Sequence, residues 1–543
     1  MSMNEDKEHT PGENEGQQLQ EISRRRLLAG TAGAAAASVL AGAGSAFGAT
    51  APAPQAAGKP RYGGNFRLGV AGGGPSDMFD GQNFVSQIDE TRVVTLFEPL
   101  MIFDDNYQLQ NWLAEEVSST DPSIWTIRVR KGIEFSNGKA LGAEDVAYSL
   151  RRIADKKNGL AGYSMLTSVD PKQIKIMDPY TVRLHLTSPN SELDQALGQY
   201  YNTIVPVGYE KYPAPQAGTG AFTLKSFTPG TRSVSVRNPN YWRHGQPYFD
   251  QVTILDYPND TARVNALLGG EIDAMTSLPT ADIPTVKAHH GLSVLVDHTA
   301  EWLPICMRVD VPPFDKVEVR QAMRLLVDRP GMIEQVLSGY GSLGNDIFSQ
   351  FDPAYDHSLP QRHQDIAQAK YLLKKAGAES FTATLNTTPG EAGMVPMASV
   401  FANQARAAGV KIQVRNWPNF YGTQYRKLAF SIDFWGTRNY LPQISMCLLS
   451  TSPFNETHWP PKDAIGEKYL SLYHQALAAS NPTLRKQLIH ELQKIDYEQG
   501  GYIIPFFTDL IGAYSNKVQG FTASKGTLPL GYLGHGYATI WFA

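Results

Sequence analysis

Cysteine is scarce in this sequence, with Cys306 and Cys447 as its two examples among 543 residues. A disulfide scaffold and a multi-cysteine zinc site both need more thiols, so the composition excludes these two classes. The even number permits one disulfide, and two buried free thiols are the alternative. The sequence alone leaves that choice open.

An excess of basic charge is also missing. The formal net charge is -4, and 18% of the residues are charged while 42% are hydrophobic. Proteins that bind nucleic acid, or an anionic membrane through their charge, need a clustered positive field. We therefore expect no nucleic-acid partner. The length and the hydrophobic fraction indicate a globular protein with two or more packed lobes.

Signatures of catalysis and of phosphate binding are missing after the first 60 residues. The sequence contains no G-x-S-x-G, no H-E-x-x-H and no S-x-x-K with its companion motifs. Residues 72–74 are glycines, but the lysine and hydroxyl residue of a phosphate-binding loop do not follow them. His289 and His290 are adjacent, so their side chains diverge and do not favour a shared metal ion. We predict a non-enzyme without cofactor or metal, with a secreted α/β hydrolase as the alternative.

The first 49 residues have the features of an export signal. Residues 23–28 read S-R-R-R-L-L, and an uncharged run rich in alanine and glycine extends from Ala29 to about Phe47. Two arginines before a weakly apolar run that ends in small residues are typical of a twin-arginine signal peptide. A membrane anchor is the alternative, but glycines make a stable spanning helix less favourable.

The destination follows from the same segment. Residues 50–60 form a linker rich in proline and alanine, and no cysteine stands at the end of the signal to accept a lipid. We expect export by the twin-arginine translocation machinery into the periplasm, without a lipid anchor.

Hydrophobic periodicity after residue 60 indicates a mixture of strands and helices. Residues 62–70 are strand-like, and apolar residues alternate with polar ones over 125–129 and 182–186. Apolar residues recur at helical spacing over 146–153, behind an acidic start. Residues 366–414 alternate helix, strand, helix and strand, and the chain has no repeat of fixed period. This alternation predicts an α/β protein whose sheets are covered by helices.

A series of short segments follows in one order along the chain. The segments are Leu96–Leu100 (LFEPL), Arg130–Gly138 (RKGIEFSNG), Glu144–Leu150 (EDVAYSL), Gly218–Phe222 (GTGAF), Asn238–Trp242 (NPNYW), Leu267–Asp273 (LLGGEID), Pro313–Arg320 (PFDKVEVR), Gln321–Arg329 (QAMRLLVDR) and Gly339–Gly341 (GYG). Each string alone is weak evidence. Together, and in this order, they resemble the family 5 extracellular solute-binding proteins, the oligopeptide, dipeptide and nickel type of ABC importer receptors.

This resemblance implies a two-lobed periplasmic binding protein fold of type II, in the large cluster with an extra subdomain. It places lobe I at 61–305, with the extra subdomain at about 101–205, and lobe II at 306–509. Residues 510–543 are expected to return to lobe I. A ligand that contacts both lobes favours the closed form, so the cleft between them closes about a hinge.

The resemblance also implies a function. We expect the protein to capture a peptide, or a peptide-like or acidic small solute, and to deliver it to an ABC permease complex in the inner membrane. We expect a monomer. Nickel or haem binding, or a role in chemosensing, is an alternative on the same fold.

One stretch resembles the ligand-contacting region of the family. Aromatic rings provide apolar walls, and amide or hydroxyl groups fix the orientation of a small ligand. For each aromatic residue, packing in the core of lobe II is the alternative. The candidate ligand-binding residues are Trp417, Phe420, Tyr421, Gln424, Asp433, Trp435, Arg438, Asn439 and Tyr440.

Arg438 carries the most information about the ligand. In many peptide-binding relatives, an aspartate three positions after the tryptophan that corresponds to Trp435 pairs with the α-ammonium group of the peptide. An arginine there repels an ammonium group and offers a bidentate contact to a carboxylate or phosphate. We therefore expect an acidic or amino-blocked solute. Asp433 would compensate for the swap if it shares a strand face with Trp435, and a surface or salt-bridged Arg438 is the remaining alternative.

Overall fold

Three large β-sheets organise the part of the chain that the computed structural model describes. That part comprises residues 58–75, 77–84, 86–417, 420–452, 454–526, 530 and 537–543. The predicted signal peptide, residues 1–49, and residues 50–57 of the predicted linker lie outside it. The large sheets have eight, five and four strands, and two smaller sheets have two strands each.

The strands and helices are numbered in chain order. The strands are β1 (Asn65–Ala71), β2 (Met101–Phe103), β3 (Leu109–Asn111), β4 (Ala114–Asp121), β5 (Ile124–Val129), β6 (Val169–Asp178), β7 (Thr181–Leu186), β8 (Phe222–Thr228), β9 (Arg232–Arg237), β10 (Gln251–Tyr257), β11 (Ala274–Met275), β12 (Leu292–Trp302), β13 (Ile305–Met307), β14 (Gly341–Leu343), β15 (Thr382–Thr387), β16 (Lys411–Asn416), β17 (Phe430–Ile432), β18 (Tyr502–Ile503), β19 (Phe506–Ser515), β20 (Val518–Gln519) and β21 (Trp541–Phe542). The helices are α1 (Gln87–Val93), α2 (Ala143–Ala154), α3 (Leu193–Leu197), α4 (Asp260–Leu268), α5 (Ile283–Ala288), α6 (Val317–Leu325), α7 (Arg329–Leu337), α8 (Ile366–Lys375), α9 (Met394–Ala405), α10 (Phe420–Thr423), α11 (Tyr440–Cys447), α12 (Ala464–Ala478) and α13 (Pro482–Gln499). Short 3-10 turns lie at Lys156–Asn158, Ala161–Met165, Thr280–Asp282 and Arg406–Ala408.

The eight-stranded sheet mixes parallel and antiparallel pairs. Its order is β12-β19-β11-β1-β10-β9-β8, and β14 pairs with β19. β1 runs parallel to β10 and to β11, with Leu68 opposite Ile254 and Ala274. β12 and β19 run antiparallel, with Val294 opposite Ala513. This last pairing brings the C-terminal part of the chain back to the sheet that contains β1.

A five-stranded sheet and a four-stranded sheet complete the architecture. The five-stranded sheet has the order β16-β15-β17-β13-β18, and β15 runs parallel to both of its neighbours. The four-stranded sheet has the order β4-β5-β7-β6 and is antiparallel throughout. The mixed α/β class that the sequence predicts is therefore confirmed.

Two short connections join the eight-stranded and five-stranded sheets. β12 ends at Trp302 and β13 begins at Ile305, while β18 ends at Ile503 and β19 begins at Phe506. The chain passes from the eight-stranded to the five-stranded sheet at 303–304 and returns at 504–505, and between these points β14 also pairs with β19 in the eight-stranded sheet. Paired short connections suit a hinge, because few backbone angles change when the two sheets move.

Local predictions drawn from periodicity are confirmed in several places. Helix α2 buries one face through Val146, Leu150 and Ile153. β5 and β7 pair antiparallel and bury the alternating apolar residues of the two runs. α8, β15, α9 and β16 follow one another over 366–416, as the helix-strand-helix-strand pattern predicts.

The first strand starts later than its sequence suggests. The strand-like run begins at Tyr62, whereas β1 begins at Asn65. Gly63 and Gly64 have φ angles of 115° and 89°, which lie in the left-handed half of conformational space that β-strands do not use. The two glycines therefore end the extended conformation ahead of the strand.

Glu98, in the Leu96–Leu100 segment, is a buried carboxylate with four donors. Trp112 Nε1 and Tyr241 Oη each donate to Oε1 at 2.9 Å. Thr219 Oγ1 and Trp242 Nε1 donate to Oε2 at 2.8 and 2.9 Å. Burial raises the pKa of Glu98 above its ordinary value, and these hydrogen bonds oppose that shift. The Glu98 carboxylate thus contacts three distant segments of the chain, which contain Trp112, Thr219 and the pair Tyr241 and Trp242.

The two cysteines are free thiols, which resolves the choice that the sequence leaves open. Both Cys306 and Cys447 are buried. Burial raises the pKa of both thiols, that of Cys447 to about 12. The Cys306 thiol donates to Glu456 Oε2 at 3.2 Å, so it belongs to a buried polar network.

Helix α13 ends against a buried arginine. Arg324 Nε donates to the carbonyl oxygen of Tyr502 at 2.9 Å, and Nη1 donates to that of Tyr497 at 3.0 Å. Nη2 donates to the carbonyl oxygens of Asp496 and Gly500 at 3.2 and 2.7 Å. A helix leaves its last carbonyls without intrahelical donors, and this guanidinium group supplies them.

Candidate functional site

The segment 433–440 leaves the five-stranded sheet after β17 and is held by the end of β12. Trp302 N donates to the carbonyl oxygen of Trp435 at 2.9 Å, and Trp435 N donates to that of Trp302 at 3.0 Å. Ala300 N donates to Thr437 Oγ1 at 3.0 Å. These bonds fix the backbone of the segment directly beside the connection between the two sheets.

Residues near the four-stranded sheet hold the same segment from another side. Tyr107 Oη donates to the carbonyl oxygen of Thr437 at 2.9 Å. Asn439 Nδ2 donates to Gln195 Oε1 at 2.8 Å. The segment 433–440 follows β17 of the five-stranded sheet. Through Tyr107 and Gln195 it therefore contacts a second part of the fold.

Arg438 is the buried cation at this contact. Its exposed fraction is 8%, so the interpretation of Arg438 as a surface arginine is wrong. Nη1 lies 3.5 Å from the carbonyl oxygen of Gly436, and Cζ lies 6.0 Å from the ring centroid of Trp435. Nε has no hydrogen-bond partner among the described residues. A buried, incompletely bonded guanidinium group is unfavourable until an acceptor reaches it.

Tyrosine rings surround the guanidinium group. The Tyr200 and Tyr201 rings meet edge to face with centroids 4.9 Å apart. Burial raises the pKa of Tyr107 and of Tyr200 above the ordinary value, and the charge of Arg438 opposes the shift in both. These two phenols therefore stay protonated at neutral pH, and their hydroxyl hydrogens are used by the Thr437 carbonyl oxygen, for Tyr107, and by Glu90, for Tyr200.

Two buried glutamates lie within the electrostatic reach of the Arg438 guanidinium group. Glu90 in α1 and Glu301 in β12 are 8% and 7% exposed. Burial raises the pKa of Glu90 to about 8, while a hydrogen bond with Tyr200 and the charge of Arg438 oppose the shift. Burial, followed by repulsion from Glu391 and Glu90, raises the pKa of Glu301 well above its ordinary value. We call Arg438, Glu90, Glu301, Tyr107 and Tyr200 the Arg438 cluster.

Asp433 has both carboxylate oxygens engaged. Tyr421 Oη donates to Oδ1 at 2.8 Å, and Tyr425 Oη donates to Oδ2 at 3.0 Å. The side chain is buried, at 2% exposed. This arrangement favours a role for Asp433 in fixing the two tyrosines rather than in pairing with an ammonium group.

A second carboxyl group lies beside Asp433 and was not predicted from the sequence. Ser431 Oγ donates to Glu456 Oε1 at 3.3 Å, and the Cys306 thiol bonds the other oxygen. Burial, and then the charge of Asp433, raises the pKa of Glu456 well above its ordinary value. Asp433 and Glu456 together form a buried polar pair at the start of the segment 433–440.

Three further predicted residues lie on the stretch between β16 and the turn that follows α10. Trp417 Nε1 donates to Asn386 Oδ1 at 2.8 Å, and Arg415 Cζ lies 3.7 Å from the Trp417 ring centroid. Phe420 is buried at 1% exposed, and Gln424 is half-buried. The contacts of Trp417 stay within the five-stranded sheet and do not reach the Arg438 cluster.

Tyr440 starts helix α11 in the core. Its backbone N donates to Asp352 Oδ2 at 2.7 Å, and its hydroxyl donates to the buried carboxylate of Asp496. The ring stacks on Phe348 with centroids 4.8 Å apart. The structure therefore brings Trp435, Arg438 and Asn439 together at the contact, while Tyr440 anchors the helix behind them.

The glutamates and tyrosines of the Arg438 cluster lie far from Arg438 in sequence. Neither Glu90 nor Glu301 stands in a motif, and a single buried glutamate has no periodic signal of its own. The described residues include no group of three or more His, Cys, Asp or Glu side chains that could hold a metal ion. Of the helices described here, none has the length and apolar character needed to cross a membrane.

Comparison with known sequences identifies a family. The profile of the family described as "Bacterial extracellular solute-binding proteins, family 5 Middle" matches residues 108–456, more than half of the chain. The glutathione-binding protein GsiB of Escherichia coli K12 is 24% identical over 465 residues, which cover 82% of this chain and 89% of the relative.

Comparison with solved structures supports the same fold. The periplasmic binding protein AgaA from A. tumefaciens R10, in complex with agropinic acid, has a TM-score of 0.77 at 21% identity, covering 88% of this chain and 99% of its own. DppA from Helicobacter pylori, in complex with the peptide STSA, has a TM-score of 0.76 at 18% identity, covering 89% and 98%. NikZ from Campylobacter jejuni, in complex with Ni(L-His), has a TM-score of 0.75 at 18% identity, covering 86% and 97%. The predicted two-lobed binding-protein fold is confirmed.

Proposed function

The chain belongs to the bacterial extracellular solute-binding proteins of family 5, and from this premise we propose that it captures a peptide, or a peptide-like or acidic small solute, between its lobes. Receptors of this family serve ABC importers, so the captured solute passes to a membrane permease without chemical change. The family consists of binding proteins rather than enzymes, and its members are periplasmic or extracellular.

The observation that carries the proposal is the buried guanidinium group of Arg438 at the contact described above. A free donor on Nε of a buried guanidinium group suits an anionic group of the ligand. AgaA is in complex with agropinic acid, DppA with a peptide, and GsiB is named for glutathione. A ligand that bridges both parts of the fold would stabilise the closed form.

The nine predicted ligand-binding residues differ in the support they receive. Trp435, Arg438 and Asn439 have the strongest, since they lie at the contact and each carries a buried polar atom without a partner among the described residues. Tyr421 and Asp433 support the segment through their mutual hydrogen bond. The other four remain candidates whose contribution to ligand binding is to be tested, namely Trp417, Phe420, Gln424 and Tyr440.

The lobe boundaries and the export route belong to the same proposal. The proposed lobes are lobe I at 61–305, lobe II at 306–509 and a return of 510–543 to lobe I. The connection at 303–304 supports the first boundary to within a few residues, whereas β19 joins the eight-stranded sheet from Phe506, a few residues before the second. We assign the subdomain at about 101–205 to the region of the four-stranded sheet. The motif at 23–28 supports export by the twin-arginine route, and the proposal places the protein in the periplasm, where it would act as a monomer.

Arg438→Ala is the variant that tests this function. We expect it to weaken the binding of an acidic solute by about 2 kcal/mol or more, roughly thirtyfold in Kd, because a buried charged contact is lost. Isothermal titration with glutamate-containing dipeptides and N-acetyl amino acids measures the change. Arg406→Ala is the matched control, because Arg406 is an exposed arginine of the same part of the fold. Equal affinity of Arg438→Ala and wild type would contradict the assignment.

A further inference from the structure

Residues 190–192 contact the end of helix α12 from the opposite side of the two connections between the sheets. These residues lie before the connection at 303–304, and α12 lies between that connection and the one at 504–505. Ser191 N donates to the carbonyl oxygen of Leu477 at 2.7 Å. Leu477 stands in the last turn of α12, whose carbonyls have no donor within the helix. A residue from beyond the connections therefore caps this helix.

Arg485, near the start of α13, completes the contact. Its Nη1 donates to the carbonyl oxygen of Ala479 at 2.9 Å and to Ser191 Oγ at 3.2 Å. Its Nε lies 3.3 Å from Glu192 Oε1. One guanidinium group thus binds the turn between α12 and α13 and two consecutive residues on the opposite side. We call Ser191, Glu192, Leu477, Ala479 and Arg485 the Arg485 latch.

The polar side chains of the Arg485 latch are largely withdrawn from water. Arg485 and Glu192 are 21% and 15% exposed, and Glu192 Oε2 is buried without a hydrogen-bond partner among the described residues. Burial, followed by the charge of Asp352, raises the pKa of Glu192 to about 8, and the charge of Arg485 opposes that shift. The attraction between a guanidinium group and a carboxyl group weakens when water reaches both. The contact is therefore strongest when its two sides are packed together.

Helix α3 connects the Arg485 latch to the segment 433–440. The helix follows Glu192 directly, and its Gln195 Oε1 accepts a hydrogen bond from Asn439 Nδ2 at 2.8 Å. Arg485 bonds residues outside that segment. The latch and the candidate site therefore hold the same short helix through different side chains.

We propose that the Arg485 latch forms when the lobes close and breaks when they open, so that Arg485 sets the affinity for the solute without touching it. This inference rests on the proposed function and adds a positioning residue to it. A contact made only in the closed form raises the closed fraction, and the apparent affinity rises with that fraction. Because the latch forms after the solute has entered, its loss speeds release and leaves the rate of capture unchanged.

Arg485→Ala tests the latch in the purified protein. The probe is the tightest binder of the wild type among glutamate-containing dipeptides and N-acetyl amino acids. We expect the variant to raise Kd about tenfold through the dissociation rate alone, measured by stopped-flow tryptophan fluorescence. Arg485→Lys keeps the charge without the planar fork and should give an intermediate Kd. Lys494→Ala removes an exposed cation from the same helix and, as the matched control, keeps both rates.

A second pair of measurements distinguishes a latch from an arginine that only supports folding. If the latch is open without solute, Arg485→Ala leaves the urea unfolding midpoint of the solute-free protein unchanged and reduces only the stabilisation that the probe provides. The wild type alone is also informative, should the variant not fold. We expect hydrogen exchange at the Ser191 amide to slow when the probe binds, because that amide then bonds Leu477.

The outcomes separate this inference from the function on which it rests. Equal Kd and dissociation rate in Arg485→Ala and wild type would overturn the latch and leave the proposed function intact. A loss of solute-free stability with unchanged Kd, or exchange at Ser191 that is the same with and without the probe, would overturn it as well. If no member of the panel stabilises the wild type, the proposed function fails and the latch fails with it.

Discussion

Arg324→Ala is expected to lower the free energy of unfolding by about 4 kcal/mol, because it removes a buried charge and every donor that it supplies. Its guanidinium group bonds four backbone carbonyls, those of Asp496, Tyr497, Gly500 and Tyr502. Those carbonyls belong to the end of α13 and to β18, so the substitution also loosens the second connection between the two sheets. Urea unfolding followed by tryptophan fluorescence measures the loss.

Lys375→Ala is the matched control for that variant. Lys375 pairs with Glu318 at 3.2 Å, and its side chain is 57% exposed. An exposed ion pair contributes little, so we expect a change below about 1 kcal/mol. If Arg324→Ala were no more destabilising than Lys375→Ala, the assignment of Arg324 as the donor for the end of α13 would be wrong.

Asp496 is expected to make the stability of the protein fall as the pH rises. Tyr440 and Tyr469 both donate hydroxyl hydrogens to Oδ2, the latter at 2.9 Å. Burial raises the pKa of Asp496 to about 7 despite these hydrogen bonds. Between about pH 4, the ordinary carboxyl pKa, and pH 7, the folded state binds more protons than the unfolded state. The free energy of unfolding therefore decreases with pH in that window, by at most about 1.4 kcal/mol per unit from this group.

Asp496→Asn removes this titration. Other buried carboxyl groups, such as Glu90 and Glu192, have raised pKa values and give the same sign, so the difference in slope between wild type and variant is the quantity to measure. Urea unfolding at pH 5, 6 and 7 provides both slopes, and the variant is expected to have the shallower one. Glu498→Gln changes an exposed carboxylate on the same helix and should leave the slope unchanged. Parallel curves for wild type and Asp496→Asn would refute a protonated Asp496.

Periodicity in the sequence was sufficient to predict local structure. The apolar spacing of α2 and the alternation of β5 and β7 arise from neighbours a few residues apart, and the structure shows both. The start of β1 was missed because Gly63 and Gly64 adopt positive φ angles that interrupt the extended backbone. A strand-like pattern of residue types alone does not reveal those angles.

The candidate site was predictable only in part, for a physical reason. Trp435, Arg438 and Asn439 stand in one short segment, so a local resemblance was able to identify them. Glu90 and Glu301 come under the influence of the Arg438 charge only in the folded chain, in which Trp302 also pairs with Trp435 beside the connection between sheets. A contact of that kind depends on tertiary structure.

The sequence also did not reveal the partners of the individual candidate side chains. Asp433 is predicted as a possible partner for an ammonium group, and the structure adds that its oxygens accept hydrogen bonds from Tyr421 and Tyr425. Tyr440 is predicted as a ligand contact, and the structure adds that its hydroxyl donates to Asp496 in the core. Residue type and spacing did not reveal these structural partners.

Hydrogen–deuterium exchange tests the central claim, that a solute binds between the lobes at the Arg438 cluster. The purified protein is compared with and without a solute that raises its unfolding temperature. The account predicts slower exchange both in the segment 433–440 and in the region of α1 and Tyr200, because one ligand contacts both sides and favours the closed form. Protection that is confined to one side, or that leaves both of these regions unchanged, would contradict it.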